Sequence, residues 1–243
     1  MSRPDLLDPS GPPVEPERPG TIGLDLPEVV AGRRSPAVVF VQDGPDPPMP
    51  ACGSMLAAGG VVGVTVELDL DGGPDAYGHA YGHADAQVRA AIDRVRDDRR
   101  VDADRIALWF FADSGLLSAE WLRTPPEWLR CVALSYPLLD VRPDRPAWPR
   151  FRPITAIEVV GEAAAAGVAG AMRANELPIV LTRVGRERPE VAAAVDAFVA
   201  AAAAANADLT IVEVAGGRHT DEARQAILVA AERVLATLRT DNR

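Results

Sequence analysis

Short apolar runs rich in β-branched residues alternate with longer segments of helical periodicity along most of the chain. This alternation is typical of βαβ units and predicts a mostly parallel sheet. Thr21 to Leu26 forms a weaker first strand. The continuous apolar character of the other runs favours strands buried on both faces. These six runs are residues 37–42, 61–68, 105–111, 130–136, 178–184 and 209–214.

The segments between the strands predict helices at residues 85–99, 115–123, 189–206 and 221–238. Pro189 and Asp221 are residue types that commonly open a helix. We therefore expect an α/β fold, with a mostly parallel central sheet flanked by helices and no large cap domain. The length fits a single domain over residues 21–240. Residues 1–20 hold six prolines and no apolar periodicity, which predicts an extended or disordered arm.

Charge and hydropathy exclude several classes of partner. The formal net charge is −10 and every basic residue is an arginine, so we expect no dense basic face and no nucleic-acid binding. No stretch reaches the ~18 to 20 apolar residues of a membrane span, and the N-terminus lacks the apolar core of a signal peptide. We therefore expect a cytoplasmic protein that acts on a small molecule. The sequence does not indicate an oligomeric state.

No metal or cofactor is expected from the sequence. Cys52 and Cys131 have no metal-site spacing and lie in apolar surroundings, which predicts reduced core thiols. His79 and His83 would share a helix face, but the intervening glycines argue against a regular helix there and favour a loop. The glycines at 59, 60 and 63 lie between a helix and a strand, where a dinucleotide loop does not occur.

The informative segment is Val101 to Leu117, in which a buried strand runs directly into a tight turn and a helix. This is the context of a nucleophile elbow. The segment resembles the α/β-hydrolase family, specifically its dienelactone-hydrolase-like and prolyl-oligopeptidase-like esterases. In those proteins an Asp-x-x-Arg-Ile-Ala-Leu strand leads to Gly-x-Ser-x-Gly, with the serine seven positions after the arginine. Seven positions after Arg105 stands Ala112, with Phe110 and Ser114 in place of the two glycines.

This alignment predicts a vacant nucleophile position. A methyl group cannot attack a carbonyl carbon, so the acyl-enzyme route is closed at Ala112. Ser114 is an alternative nucleophile two residues later. Two positions along a helical turn rotate a side chain by ~200°, which favours a capping or packing role for Ser114 instead.

The resemblance also implies an acid and a histidine in the family's chain order. Glu187 follows the strand at 178–184 and stands where the family carries its acid. His219 lies between the last strand and the last helix, where the family carries its histidine. The alternatives are a surface Glu187 paired with Arg186 or Arg188, and a His219 displaced into a surface loop.

The region expected to form the oxyanion hole differs from the family pattern. Relatives tend to read His-Gly-Gly-Pro after the strand at 37–42, and this chain reads Gln42, Asp43, Gly44 and proline. Negative charges at Asp43 and at Asp113 oppose a developing oxyanion unless both side chains turn outward. Either carboxylate would instead serve as a general acid or base, or the changes reflect lost selection for hydrolysis.

Three functional hypotheses follow. The first is a hydrolase-fold protein without ordinary serine hydrolysis, either a pseudoenzyme or an enzyme with a non-hydrolytic reaction. The second is an ester or lactone hydrolase represented here by a Ser-to-Ala variant, or one that uses Ser114. The third is a small-molecule sensor or partner-binding domain, whose pocket would be lined by aromatic residues: Trp109, Phe110, Phe111 and Trp148.

Overall fold

One twisted sheet of seven strands organises the protein. The structure, a computed structural model, describes residues 22–25, 33–44, 50–68, 77–139, 177–216 and 221–239. The sheet order is β1-β3-β2-β4-β5-β6-β7. Strand β1 pairs antiparallel with β3, and the other six strands are parallel. The strands are β1 (Ile22–Asp25), β2 (Ser35–Asp43), β3 (Val62–Leu68), β4 (Val101–Phe111), β5 (Leu129–Ser135), β6 (Ile179–Val184) and β7 (Leu209–Val214).

Helices cover both faces of this sheet, as the alternating pattern predicted. They are α1 (Pro50–Ala58), α2 (Tyr77–Asp97), a 3-10 helix (Ala112–Leu117), α3 (Ser118–Arg123), α4 (Pro189–Ala204) and α5 (Asp221–Arg239). The mostly parallel sheet flanked by helices is confirmed, and the described residues add no cap domain to it. None of the described helices is both long enough and apolar enough to cross a bilayer.

The sheet separates two hydrophobic layers. Helices α1 and α5 pack on one face, where Phe40, Trp109 and Ala231 are fully buried. Helices α2, α3 and α4 pack on the other face around residues such as Phe110 and Phe198. Because side chains alternate along a strand, neighbouring residues of the central strands feed opposite layers. The continuous apolar runs are therefore explained by burial on both faces.

Strand β7 departs from the expectation of burial on both faces. Ile211 and Glu213 are exposed, and Val214 is its one buried residue. Among the strands that the structure describes, β7 stands at one end of the sheet order and pairs with β6 alone. The run at 209–214 was predicted to be buried because its residues are apolar, but apolar character does not distinguish a central strand from an edge strand.

Two helix predictions were also wrong in detail. The segment with His79 and His83 is helical, since α2 begins at Tyr77, well before the predicted start at residue 85. Two glycines cost ~1 kcal/mol each, which a 21-residue helix packed on the sheet tolerates. The predicted helix at 115–123 begins as a 3-10 helix and becomes α-helical only at Ser118.

The two cysteines are buried thiols that form no disulfide among the described residues, as predicted. Burial raises the pKa of the Cys52 thiol and of the Cys131 thiol to about 12. Both are therefore inert small hydrophobes in the core. Among the side chains that the structure describes, no group of three or more His, Cys, Asp or Glu residues is placed to hold a metal ion.

Candidate functional site at the carboxyl edge of the sheet

The topology places one crevice at the carboxyl ends of the parallel strands. From β2 the chain moves to β3 on one side, and it then returns to β4 on the other side of β2. In open α/β sheets, ligands bind outside the carboxyl ends of the strands at the point where the strand order reverses. We therefore expect a ligand-binding site among the residues that follow β2 and β4. Asp43 and Gly44 lie at the end of β2, and Ala112 and Asp113 follow β4.

Ala112 occupies a strained turn at the end of β4. Its φ is +47°, in the left-handed region that few residues other than glycine adopt. The preceding residue, Phe111, is extended, and the 3-10 helix starts at Ala112 itself. A sharp turn of this kind, between a buried strand and a helix, is the backbone form of a nucleophile elbow.

A close approach of the next segment holds this turn in place. The Leu138 N–H donates to the Ala112 carbonyl at 2.9 Å. At Gly115 an added Cβ would lie 2.8 Å from the Leu138 carbonyl oxygen and 2.8 Å from the Pro137 Cβ. Only glycine fits at this point, because the approaching atoms include backbone. The turn is thus packed between β4 and the segment that follows β5.

Ser114 is entirely buried beneath the turn. Its Oγ lies 2.8 Å from the Val41 carbonyl oxygen and 2.8 Å from the Phe111 carbonyl oxygen, and it accepts a hydrogen bond of 2.9 Å from the Phe111 N–H. These contacts join the ends of β2 and β4. The hydroxyl is therefore committed to backbone groups and presents no surface to solvent.

Replacing Ser114 with alanine is expected to lower the free energy of unfolding by about 2 kcal/mol. The change leaves the buried Phe111 N–H without its acceptor, and an unsatisfied buried donor is costly. Ser118→Ala is the matched control, because the Ser118 Oγ donates a hydrogen bond of 2.6 Å to the Gly115 carbonyl within the same helical turn and does not join two strands. Urea denaturation of both variants measures the difference. Equal losses would contradict the bridging role of Ser114.

The end of β2 does not present the donors of an oxyanion hole at Gly44. That residue has a φ of +67°, and its N–H donates to the Leu68 carbonyl at 3.0 Å. The Gln42 side chain is buried, and its Nε2 donates to the Gly44 carbonyl at 3.1 Å. Gln42 Oε1 has no hydrogen-bond partner among the described residues. The Gly44 N–H is therefore already used by the backbone and is not available to an oxyanion.

Two carboxylates flank these groups, and a third lies beside Gln42. Asp43 and Asp113 are each half-buried just beyond their strands. Glu67 stands opposite Gln42 in the pairing of β3 with β2 and is buried. Burial raises the pKa of Glu67 above its usual value, because desolvation disfavours the charged carboxylate. Three carboxyl groups thus lie at the carboxyl ends of β2, β3 and β4.

The predicted acid lies at the same edge, two strands away from β4. Glu187 follows β6 and is half-buried, and its Oε1 accepts a hydrogen bond of 3.1 Å from the Arg188 N–H. It borders a small cavity shared with Tyr136 and Arg183. His219 falls between β7 and α5 and lies outside the described residues, as do Trp148 and the arm at 1–20.

Sequence reasoning missed two residues at this edge. Tyr136 follows β5 with a φ of +52°, and its hydroxyl donates to the Ala223 carbonyl at the start of α5 at 2.9 Å. Glu67 lies within the apolar sequence of β3, where the pattern predicted only core residues. Each of these residues is a polar or aromatic residue at the carboxyl end of a buried strand. That position indicates a site residue only when the order of the strands in the sheet is known.

The aromatic residues of β4 contribute packing. Trp109 and Phe110 are fully buried and Phe111 nearly so. Trp109 stacks on Phe111 with ring centroids 5.4 Å apart, and its Nε1 donates to the Ser135 Oγ at 2.9 Å. Trp109 and Phe110 offer no surface to a ligand, so the expectation that they line a pocket is wrong.

Comparisons with known proteins identify the fold. No protein-family model and no curated protein matches the sequence. A lipase/esterase from Lactobacillus plantarum is similar over 88% of this chain and 93% of its own, with 16% identity and a TM-score of 0.64. A Klebsiella pneumoniae protein assigned as a dienelactone hydrolase matches over 88% and 90%, with 20% identity and a TM-score of 0.61.

An esterase from Thermogutta terrifontis gives a third match. It is 16% identical, with a TM-score of 0.61, over 91% of this chain and 90% of that one. Likeness at such low identity establishes the architecture and not the activity. The chain has the α/β-hydrolase fold.

Proposed function

We propose that this protein is a hydrolase-fold protein that lacks serine hydrolysis and binds a small molecule in the crevice at the carboxyl ends of β2 and β4. The observation that carries the proposal is the turn after β4, where Ala112 takes the left-handed conformation at φ +47°. The resemblance to esterases supports the interpretation of this turn as the nucleophile position. Its side chain is a methyl group, which has no lone pair with which to attack.

The nearest hydroxyl does not replace the missing one. Ser114 is fully buried and bonded to backbone groups of β2 and β4. A nucleophile must reach the substrate carbon and stand beside a base. Neither condition is met by a side chain with no accessible surface. This supports a structural role for Ser114.

Residues beside the turn also differ from the family pattern, and these differences support the loss of hydrolysis independently of Ala112. The Gly44 N–H donates to the Leu68 carbonyl and is therefore not available to an oxyanion. Asp43 and Asp113 add negative charge at the same edge. A tetrahedral oxyanion requires donors and positive potential, so restoring a serine alone would leave the transition state without stabilisation.

One observation favours a second candidate, an esterase represented by a Ser-to-Ala variant. Ala112 keeps the strained conformation although alanine gains nothing from it, at a cost of ~1–2 kcal/mol relative to a relaxed backbone. The close packing at Gly115 preserves the turn whatever residue occupies it. The turn would therefore have the same geometry in a protein that naturally carries Ala112 and in a Ser-to-Ala variant of an esterase. The labelling experiment below distinguishes the two.

The test is labelling with a fluorophosphonate, followed by peptide mapping, on the wild type and on Ala112→Ser. Organophosphorus electrophiles suit the fold, because the tabun adduct of esterase 2 from Thermogutta terrifontis shows that one of them modifies a protein of this architecture. We expect no adduct on either protein and no turnover of p-nitrophenyl butyrate. A purified serine esterase in the same reaction is the positive control for the reagent.

Each alternative outcome has a distinct meaning. Labelling and turnover by Ala112→Ser alone would establish the second candidate. An adduct on Ser114 of the wild type would overturn the structural role given to that residue. Saturable binding of phenyl butyrate by the wild type in calorimetry, without release of phenol, is the result expected for a crevice that binds and does not hydrolyse.

A further inference from the structure

The outer edge of β7 presents backbone groups that no other described strand pairs with. β7 stands at one end of the sheet order, beside β6. The Val214 carbonyl accepts a hydrogen bond of 2.6 Å from the Gly185 N–H, and the Asp208 carbonyl accepts one from the start of β6. Because the backbone groups of successive residues in a strand point to opposite sides, the residues between these two alternate between β6 and the outer edge. The N–H and C=O groups of Ile211 and Glu213 therefore point away from β6.

β7 lacks the features that usually prevent an edge strand from pairing with another chain. Such strands are commonly very short, or they carry proline, a bulge or positive charge. At the other end of the sheet, β1 has four residues. β7 has six residues, Leu209–Val214, with no proline and no arginine, and it pairs with β6 without a shift of register. Four of its residues are β-branched, the type that fits a strand best.

The exposed apolar side chains of the described residues lie beside this edge. Two large ones are exposed, Ile211 at 37% and Val229 at 42%. On α5, Val229 lies three residues after Ala226 and four before Arg233, which places all three on one flank of the helix. Ala226 packs against the end of β7, and Arg233 lines a groove together with Thr210 of β7. The flank of α5 that carries Val229 therefore faces β7.

We propose that β7 pairs antiparallel with β7 of a second copy of this chain, about a two-fold axis at Ile211, so that the two sheets become one. The edge of a strand is complementary to itself in this arrangement. The Ile211 N–H donates to the partner's Ile211 carbonyl, and symmetry supplies the reverse bond. The Leu209 N–H is already used by the Ala207 carbonyl, which leaves the Leu209 carbonyl to accept from the partner's Glu213 N–H.

The side chains favour a second copy as the occupant. Ile211 is the middle residue of the outward-facing set formed with Leu209 and Glu213. Directly opposite residues of a hydrogen-bonded pair have Cα atoms ~5.5 Å apart, so each Ile211 side chain would cover the other. The Glu213 carboxylate would lie opposite the partner's Leu209, so like charges do not meet. A copy therefore supplies the apolar residue that this position requires, by symmetry alone.

The α5 face of the sheet has room for this partner. A groove of about 620 Å³ separates α5 from the amino end of β7 and is lined by Thr210, Asp208 and Arg233 among others. Antiparallel pairing would bring the carboxyl end of the partner's β7 to this end of the strand. On this face the partner would meet an open groove and not a helix.

The first test is an engineered disulfide at the axis. Ile211→Cys would place two Cα atoms ~5.5 Å apart, within the range that a disulfide spans. Cys52 and Cys131 are buried and do not compete. Glu213→Cys is the matched control, because its Cα would lie ~14 Å from its copy in this register. Under mild oxidation we expect Ile211→Cys to form a covalent dimer about tenfold faster than Glu213→Cys, on a non-reducing gel.

Sedimentation equilibrium of the full-length protein is the second test. We expect the wild type to be a dimer, and Ile211→Asp to raise the dissociation constant about tenfold, because two carboxylates would then meet at the axis. Ala90→Asp is the control, since it changes an exposed residue of α2, which packs on other strands, and should leave the dimer intact. Circular dichroism checks that each variant is folded.

Several results would overturn the proposal. A monomeric wild type would do so, and resistance of the Ile211→Cys thiol to a maleimide would then show that the chain's own segments cover the edge. A dimer unaffected by Ile211→Asp would place the contact between copies elsewhere on the surface. Equal cross-linking rates for Ile211→Cys and Glu213→Cys would exclude the antiparallel register at Ile211.

Discussion

Replacing Trp109 with alanine is expected to lower the free energy of unfolding by about 3–5 kcal/mol, the largest effect we expect of a single substitution in this protein. Trp109 is the largest of the fully buried side chains. It lies between Phe40, at a ring separation of 5.5 Å, and Phe111, at 5.4 Å. Truncation removes this apolar burial and leaves a cavity among rigid strands.

The measurement is chemical denaturation followed by circular dichroism, with Trp109→Phe as the control. Phenylalanine keeps most of the ring volume and loses the 2.9 Å hydrogen bond to the Ser135 Oγ. It should therefore cost only about 1–2 kcal/mol. A loss for Trp109→Ala no greater than that for Trp109→Phe would show that the aromatic stack does not support β4. Because Ala112 is three residues further on, the stack also fixes the strand that carries the candidate site.

The second large effect is expected for Gly115→Ala, which should destabilise the protein by about 3 kcal/mol. The new Cβ would lie 2.8 Å from both the Leu138 carbonyl oxygen and the Pro137 Cβ. Gly115 does not have a positive φ, so the cost arises from steric overlap of the new Cβ with its neighbours and not from backbone conformation. Relief requires that the segment after β5 move away from the turn, which breaks the bond from the Leu138 N–H to the Ala112 carbonyl.

Gly60→Ala is the matched control for this substitution. Gly60 has a φ of +80° and open space around an added Cβ, so alanine there meets only the conformational penalty, about 1 kcal/mol. Thermal unfolding of the two variants side by side separates contact from conformation. If Gly60→Ala proves as costly as Gly115→Ala, the close approach at the turn does not limit stability.

The sequence by itself determined the architecture. Its apolar runs and helical segments predicted a mostly parallel sheet flanked by helices, and the structure confirms that arrangement. The reason is physical, because central strands of a parallel sheet are buried on both faces and so carry an unbroken apolar pattern. The burial of Cys52 and Cys131 as reduced thiols followed from their apolar sequence surroundings in the same way. The sequence also predicted that Ala112 lies in a tight turn, because the apolar strand before it runs directly into a turn.

Only the tertiary structure decided which polar groups share a site and which are committed elsewhere. Local rotation predicted that Ser114 points away from the turn, but its partner Val41 lies 73 residues earlier and becomes visible only when β2 pairs beside β4. Glu67 and Gln42 became neighbours through strand register, and Trp121 and Trp128 through the packing of α2, α3 and the turn before β5. Such contacts join residues distant in sequence, and a local pattern records the burial of each residue without recording what it is buried against.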